Sequence, residues 1–346
     1  MSTEFAVLST PGRSQEFWFE DGDVVLSCLL PNNRRFFYRV HKFMLARHSV
    51  PFAEMLKKEV IAAQCREFVD GAPVVFLPEP APEIYKLLCC LYNALTLQNP
   101  HSLEEEQPIT RYDWLLRLCA KYQILPLSKY IIARLKAEWP VTLPAWDTRE
   151  AHITAMRQQH IAAGPTRRVH NMYLDDRLPE PVMIIKIAHT LCLPQLLPAA
   201  FYELARSNPR AEWDALHTVA TRALAQNERF LVEGVRSARW GALSAQDMLV
   251  LATLKETLST LVREGWDMMK RLEMPHAVCD TARKGVLDRA KELAVASRDV
   301  LYAAHWACHY TTKAGMCKAC ETNLVRCLAT FRMSCWHTLL RKFQHP

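Results

Sequence analysis

Hydrophobic positions come first in short compact runs and later in long periodic ones. Residues 24–30 (VVLSCLL) form an apolar run of strand length, entered through the turn signal Asp21-Gly22-Asp23. Residues 36–40 (FFYRV) are a second β-rich run after the turn residues Pro31, Asn32 and Asn33, so the two predict a hairpin. Residues 73–78 (PVVFLP) predict a third strand, whose bounding prolines place it at a sheet edge. Between them, 42–46 and 50–58 predict short helices, with Ser49 as the N-cap of the second and Pro51 in its first turn. The polar stretch 57–70 predicts a surface loop or frayed helix end.

From residue 82 the period lengthens. Ile84, Leu87, Leu88 and Leu91 recur at helical spacing, and the acidic stretch 93–108 predicts a loop. A helical pair comes next, at 112–122 (Leu115, Leu118, Tyr122) and 126–139 (Leu127, Ile131, Leu135). Pro-rich 140–146 ends the pair, and 147–176, polar and rich in His and Arg, predicts a linker or partly helical insertion. Helical patterning then resumes: Val182, Ile185, Ile187 and Leu191 define one helix, and 196–205, 213–224, 245–272 and 281–302 predict others. The expected organisation is a disordered or extended N-terminus at 1–16, a first domain at 17–146, a linker or insertion at 147–178 and an all-α domain at 179–346.

Composition agrees with a mostly helical chain of 346 residues, since glycine occurs only nine times. The formal charge of +7 is spread over 43 basic and 36 acidic residues with no Lys/Arg run longer than three, which argues against a nucleic-acid groove. The first residues, MSTEFAVLSTPGRSQE, lack the pattern of a secretory signal, and the most apolar stretch, 182–193, is interrupted by Lys186 and His189. A soluble, cytoplasmic and/or nuclear protein is expected. Twelve cysteines in a reducing compartment read as packed thiols or metal ligands. No G-x-G-x-x-G, phosphate-binding loop, G-x-S-x-G or H-E-x-x-H occurs, so the chain is expected to be no enzyme.

The chemical candidate is Cys317-x-x-Cys320, whose two thiolates can bind one tetrahedral zinc ion. Two packed thiols are the alternative. His41, between a β-run and a helix, reads as a hydrogen-bonded junction residue.

The residues carry a resemblance to a known family. Asp21-Gly22-Asp23-Val24-Val25-Leu26 resembles the D-x-D-V/I opening of BTB/POZ domains. Residues 39–49 (RVHKFMLARHS) resemble their F-x-V-H-K-x-x-L-A-x-x-S core, and Phe52 to Leu56 the F-x-x-M-L that comes after it. The order strand, strand, two short helices, strand, helix, loop, helix pair also matches. Further on, 195–202 (QLLPAAFY) and the tail, with C-x-x-C at 317–320 and Trp336-x-x-Leu339-x-x-x-Phe343, resemble the C-terminal region of fungal BTB proteins. The resemblance implies an α+β BTB/POZ-like domain, a small sheet covered by helices, followed by an all-α region.

It also implies a non-catalytic interaction module that forms homodimers and recruits partner proteins. Phe17, Trp18, Phe19, Asp23 and His41 are the dimer candidates, with folding back onto their own sheet as the alternative for the three aromatics. Phe52, Met55 and Tyr112 are the partner candidates, including for a cullin scaffold in an adaptor of ubiquitin transfer; a transcription-regulator cofactor that does not itself touch DNA is the other alternative. No kelch, MATH or zinc-finger array is present as a substrate receptor. The resemblance adds Cys279 to the ligands Cys317 and Cys320 of one structural zinc, with the fourth drawn first from Cys308 or His309, and otherwise from His305 or His276.

Overall fold

The computed structural model describes residues 12–92, 113–164, 168, 169, 172–178, 180–216 and 236–343. It divides into two compact units, Met1–Leu135 and Lys136–Pro346.

The first unit is a five-stranded sheet with helices. Its strands are β1 (Arg13–Trp18), β2 (Val24–Leu29), β3 (Arg35–Val40), β4 (Phe68–Val69) and β5 (Ala72–Pro80), in the order β1-β3-β2-β5-β4. The apolar run became the central strand β2, buried from Val24 to Cys28, because a strand covered on both faces needs no polar alternation. β2 and β3 form the expected hairpin, in register from Val24 opposite Val40 to Leu29 opposite Arg35. Its turn uses Asn33 at φ +60°, a conformation asparagine tolerates. β5 lies parallel to β2 and β1 parallel to β3.

Among the described residues, six helices come after the hairpin: α1 (Lys42–His48), α2 (Val50–Met55), α3 (Lys58–Gln64), α4 (Ala81–Tyr92), α5 (Asp113–Lys121) and α6 (Leu125–Glu138). Ser49 caps α2 as expected, accepting the Phe52 N–H at 3.1 Å. Ile84, Leu87, Leu88 and Leu91 are all buried on α4, and the Tyr38 hydroxyl donates to the Ala81 carbonyl at 2.6 Å, tying β3 to the start of that helix.

Three expectations for this unit change. Residues 13–18 form a strand where an extended or disordered terminus and an aromatic start were expected; only Ser14 and Phe17 of β1 are buried, too few for an apolar pattern. The polar stretch 57–70 folds into α3 and β4. β5 is not the outermost strand, although β4 pairs only with Ala72 and Pro73, which is how prolines are accommodated there.

The second unit contains α7 (Leu143–Ala162), α8 (Leu174–Arg177), α9 (Pro181–Thr190), α10 (Leu197–Arg206), α11 (Trp213–Leu216), α12 (Ala245–Lys270), α13 (Ala277–Ser297), α14 (Val300–Thr311) and α15 (Lys318–Lys342). The expected boundary near 147 moves to 135/136. Trp139 and Trp146 are buried, and the Arg149 guanidinium lies 5.0 and 4.7 Å from their ring centroids, so 136–146 belongs with the helical unit. α7 also runs through most of the expected linker. Its buried residues, Trp146, Arg149, Ile153, Met156 and His160, keep helical spacing, but two of them are charged or titratable and hid the period.

The expected helix 281–302 breaks into α13 and α14 at Arg298, which takes the left-handed φ of +55°. Asp299 then caps α14 by accepting the Tyr302 N–H at 2.9 Å. Asp299 turns inward because it belongs to a buried charge network. Arg206 pairs with Glu150 at 2.5 Å, with Glu203 at 2.6 Å and with Asp299, while Arg149 reaches Glu150 and Glu203 at 3.0 Å each. Arg236 pairs with Glu150 at 3.0 Å and with Glu203, so three guanidiniums meet three carboxylates. Arg149 and Arg206 both lie 4.7 Å from the Trp146 ring centroid, and the Tyr202 hydroxyl donates to Asp299 at 2.7 Å. The two C-terminal sequence motifs meet as well: Phe343 stacks on Phe201 at 5.0 Å, and Trp336 packs 5.7 Å from Trp146. No helix among the described residues is long and apolar enough to cross a membrane.

Gly265 lies buried inside α12, under the ring of Phe331 from α15, where an added Cβ would overlap the ring. Alanine raises helix propensity by about 1 kcal/mol, but overpacking costs about 1–3 kcal/mol. Gly265→Ala is therefore expected to lower stability in urea titration. In a Phe331→Ala background the same change should become stabilising, and an equal effect in both backgrounds would exclude this close packing.

Candidate metal centre

Two helix N-termini meet in the second unit, and each brings a pair of metal-ligating side chains. His276 is the N-cap of α13 and Cys279 lies three residues on; Cys317 is the N-cap of α15 and Cys320 lies three residues on. The H-x-x-C and C-x-x-C pairs therefore occupy the same two positions on their helices, where both side chains project around one first turn.

The four ligand atoms lie within 4.8 Å of one another. His276 Nδ1 is 3.5 Å from the Cys317 sulfur and 3.9 Å from those of Cys279 and Cys320. Around a tetrahedral zinc, Zn–S and Zn–N bonds of ordinary length set ligand separations of about 3.6–3.8 Å, so the set is already spaced to close on one ion. The Cys317 N–H donates to the Cys279 sulfur at 3.4 Å, linking the two helix starts. Behind the cluster, buried Arg283 donates to the Met269 and Lys270 carbonyls at 2.8 and 2.6 Å and pairs with Asp280, fixing the end of α12 against the start of α13.

Electrostatics favours anions here. Each helix N-terminus carries roughly half a positive charge, and two pointed at one spot repel unless negative charge lies between them. Three thiolates around a divalent ion supply a net charge of about −1, which offsets both. Without an ion, the Cys320 backbone N–H and then the Cys320 thiol draw the Cys317 thiol down to about 7. Burial and then the Cys317 thiol push Cys320 up to about 12. Burial also separates the ligands: Cys279 and Cys320 are buried, whereas Cys317 and His276 face solvent.

Of the expected ligands, Cys279, Cys317 and Cys320 come together, and the fourth position is corrected from Cys308 or His309 to His276. Cys308 lies on α14 and its thiol donates to the Val325 carbonyl at 3.9 Å, a packing contact; His305 and His309 are exposed on the same helix. The signal for His276 was its three-residue spacing to Cys279, which repeats that of Cys317 to Cys320.

The interaction candidates scatter. Phe17 is 3% exposed and packs in its own unit against Tyr85, Tyr92 and Phe19, and Phe19 stacks on Tyr92 at 5.2 Å, so the folding-back alternative describes both. Trp18 is half-buried with Arg13 5.1 Å from its ring centroid. Asp23 accepts the Lys42 N–H at 2.7 Å, bracing the start of α1. His41 is a junction residue: its N–H donates to the Tyr92 hydroxyl at 2.8 Å, and its Nε2 lies 3.2 Å from Asp21, whose carboxyl it holds below the usual range. Phe52 is 1% exposed and stacked on Tyr122 at 4.2 Å, which makes it core and removes it as a contact residue. Met55 is half-buried, and Tyr112 lies outside the described residues.

Compared with family models, curated proteins and solved structures, the chain finds no match in any of the three.

Proposed function

We propose that this chain is a non-catalytic protein-interaction molecule, a BTB/POZ-type α+β module joined to a helical unit that one structural zinc ion holds together. The carrying observation is that His276, Cys279, Cys317 and Cys320 bring four ligand atoms within 4.8 Å of one another, enough for a tetrahedral set from protein atoms alone. A site with four protein ligands leaves no position for water or substrate and serves architecture, whereas catalytic zinc keeps one position open. When bound, the ion supplies cross-linking of the α13 and α15 N-termini.

The interaction reading of the first unit has separate support. Its hairpin, parallel third strand and subsequent helices run in the order that the D-x-D and V-H-K-type segments imply, with Asp23 and His41 fixing the corner between hairpin and α1. Self-association then uses surfaces other than the buried Phe17, and partner recruitment surfaces other than the buried Phe52. A single zinc per chain and a dimeric mass are expected when the full-length protein is measured by metal analysis and light scattering. A metal-free protein that takes up no added zinc would defeat the first half of the proposal, and a monomer at high micromolar concentration the second.

A further inference from the structure

The four ligands are not equally reachable, and the difference points to a second property of the same cluster. Cys317 is exposed at the N-cap of α15, while its neighbour one turn on, Cys320, is 4% exposed and Cys279 3%. Lys318, at the first position of α15, has a side chain 83% exposed, and His276, 3.5 Å from the Cys317 sulfur, is exposed too. Solvent thus approaches the cluster along the Cys317–His276 edge and meets one sulfur before the other two. An exposed cysteine at a helix N-cap with a second, buried cysteine three residues later is the arrangement in which one thiolate attacks the oxidant and the other resolves.

We propose that Cys317 is a modification site for hydrogen peroxide and related small hydroperoxides, and that its oxidation, resolved by Cys320, opens the metal centre. This rests on the zinc reading above only for the metal's release; the thiol chemistry stands on the cluster itself.

The step balances with peroxide as the sole oxidant. The Cys317 thiolate attacks one peroxide oxygen, the O–O bond breaks, a sulfenic acid forms and hydroxide leaves. The Cys320 thiolate then attacks the Cys317 sulfur, the S–O bond breaks, a second hydroxide leaves and the Cys317–Cys320 disulfide forms. Two sulfurs together lose two electrons and the peroxide gains two. Only His276 and Cys279 remain as ligands, and both belong to the start of α13, so nothing ties α13 to α15 through metal any longer. Two thiolates are also lost from between two positive helix ends, which removes the charge that let them approach.

Cys317 is the residue to vary, because histidine in its place keeps four ligands but cannot form the disulfide. The zinc-loaded full-length chain is treated with hydrogen peroxide, free zinc is followed with a colorimetric chelator, and the thiols are mapped by peptide mass spectrometry. The wild-type chain is expected to release one zinc per Cys317–Cys320 disulfide formed, and Cys317→His to release it at least tenfold more slowly. Equal release from Cys317→His, or first oxidation at Cys279 with Cys317 intact, overturns the proposal. A chain that binds no zinc defeats the zinc reading instead, and the mass map still decides the modification: a Cys317–Cys320 disulfide supports it, and unmodified Cys317 under excess peroxide refutes it.

Discussion

Arg206→Ala is expected to destabilise the helical unit by about 3–5 kcal/mol, since it leaves buried Asp299 charged without its guanidinium and takes one of three guanidiniums from Glu150 and Glu203. Arg149 and Arg236 still reach Glu150 and Glu203, but among the described residues only Arg206 forms an ion pair with Asp299. At about 2–4 °C per kcal/mol for a unit of this size, calorimetry should show its transition roughly 6–20 °C lower. Arg289→Ala, which breaks the exposed pair with Glu292, is the control, expected to cost no more than about 1 kcal/mol. Equal effects of the two changes would deny the buried network its role.

The same network fixes a pH dependence. Burial alone would raise the carboxyls of Glu203 and Asp299, but Arg206 and the neighbouring guanidiniums hold both below their ordinary values. Their contribution is therefore complete above the unfolded pKa of about 4 and is lost as pH falls through the depressed folded values. Removing Arg206 leaves burial less opposed, so the acid-unfolding midpoint of Arg206→Ala should move to higher pH.

How much of this could be read from the chain depended on what signalled burial. The hairpin, α4, α9, α10 and α12 were legible because apolar residues set their periods, while most of the expected helix 213–224 lies outside the described residues. α7 was not, because its inward face carries Arg149 and His160, and polarity suggested solvent where the fold supplies Glu203, Glu150 and two tryptophans as surroundings. The break at Arg298 and Asp299 was hidden for a related reason. The sequence around it is compatible with continuous helix, and it bends because Asp299 finds Arg206 and Tyr202, partners more than ninety residues away.

The metal site was legible in part and by a simple rule. Two cysteines in one helical turn announce themselves, but the other pair could be weighted only by knowing that α13 begins at His276, as α15 begins at Cys317. Ranking Cys308 and His309 ahead of His276 favoured residues close in sequence to Cys317, and α14 turns them to other surroundings. The aromatics at 17–19 show the opposite error: large apolar residues near a terminus suggested an interface, and Tyr85 and Tyr92 of α4 take up two of them.

Cys279→Ser separates the architectural role of the cluster from packing. Cys279 is the buried ligand on α13 and receives the Cys317 N–H, so its loss removes both a metal bond and the direct link between the two helix starts. Bound zinc is expected to fall from one per chain to near zero. The stability conferred by an ion at a free concentration about a thousandfold above its dissociation constant, about 4 kcal/mol, should go with it. Chelation of the wild-type chain should reproduce the loss, and added zinc should reverse it in the wild type alone. Cys308→Ser is the control, because that thiol packs between α14 and α15 outside the cluster, and its replacement should leave the metal content unchanged. Were Cys279→Ser to keep its zinc while Cys308→Ser lost it, the ion would have to sit on the α14 side and the closure of the two helix N-termini would need another cause. If neither variant and no chelator changed the melting profile, the four side chains would be packed thiols and an imidazole, held by the Arg283 clamp and the α14–α15 core.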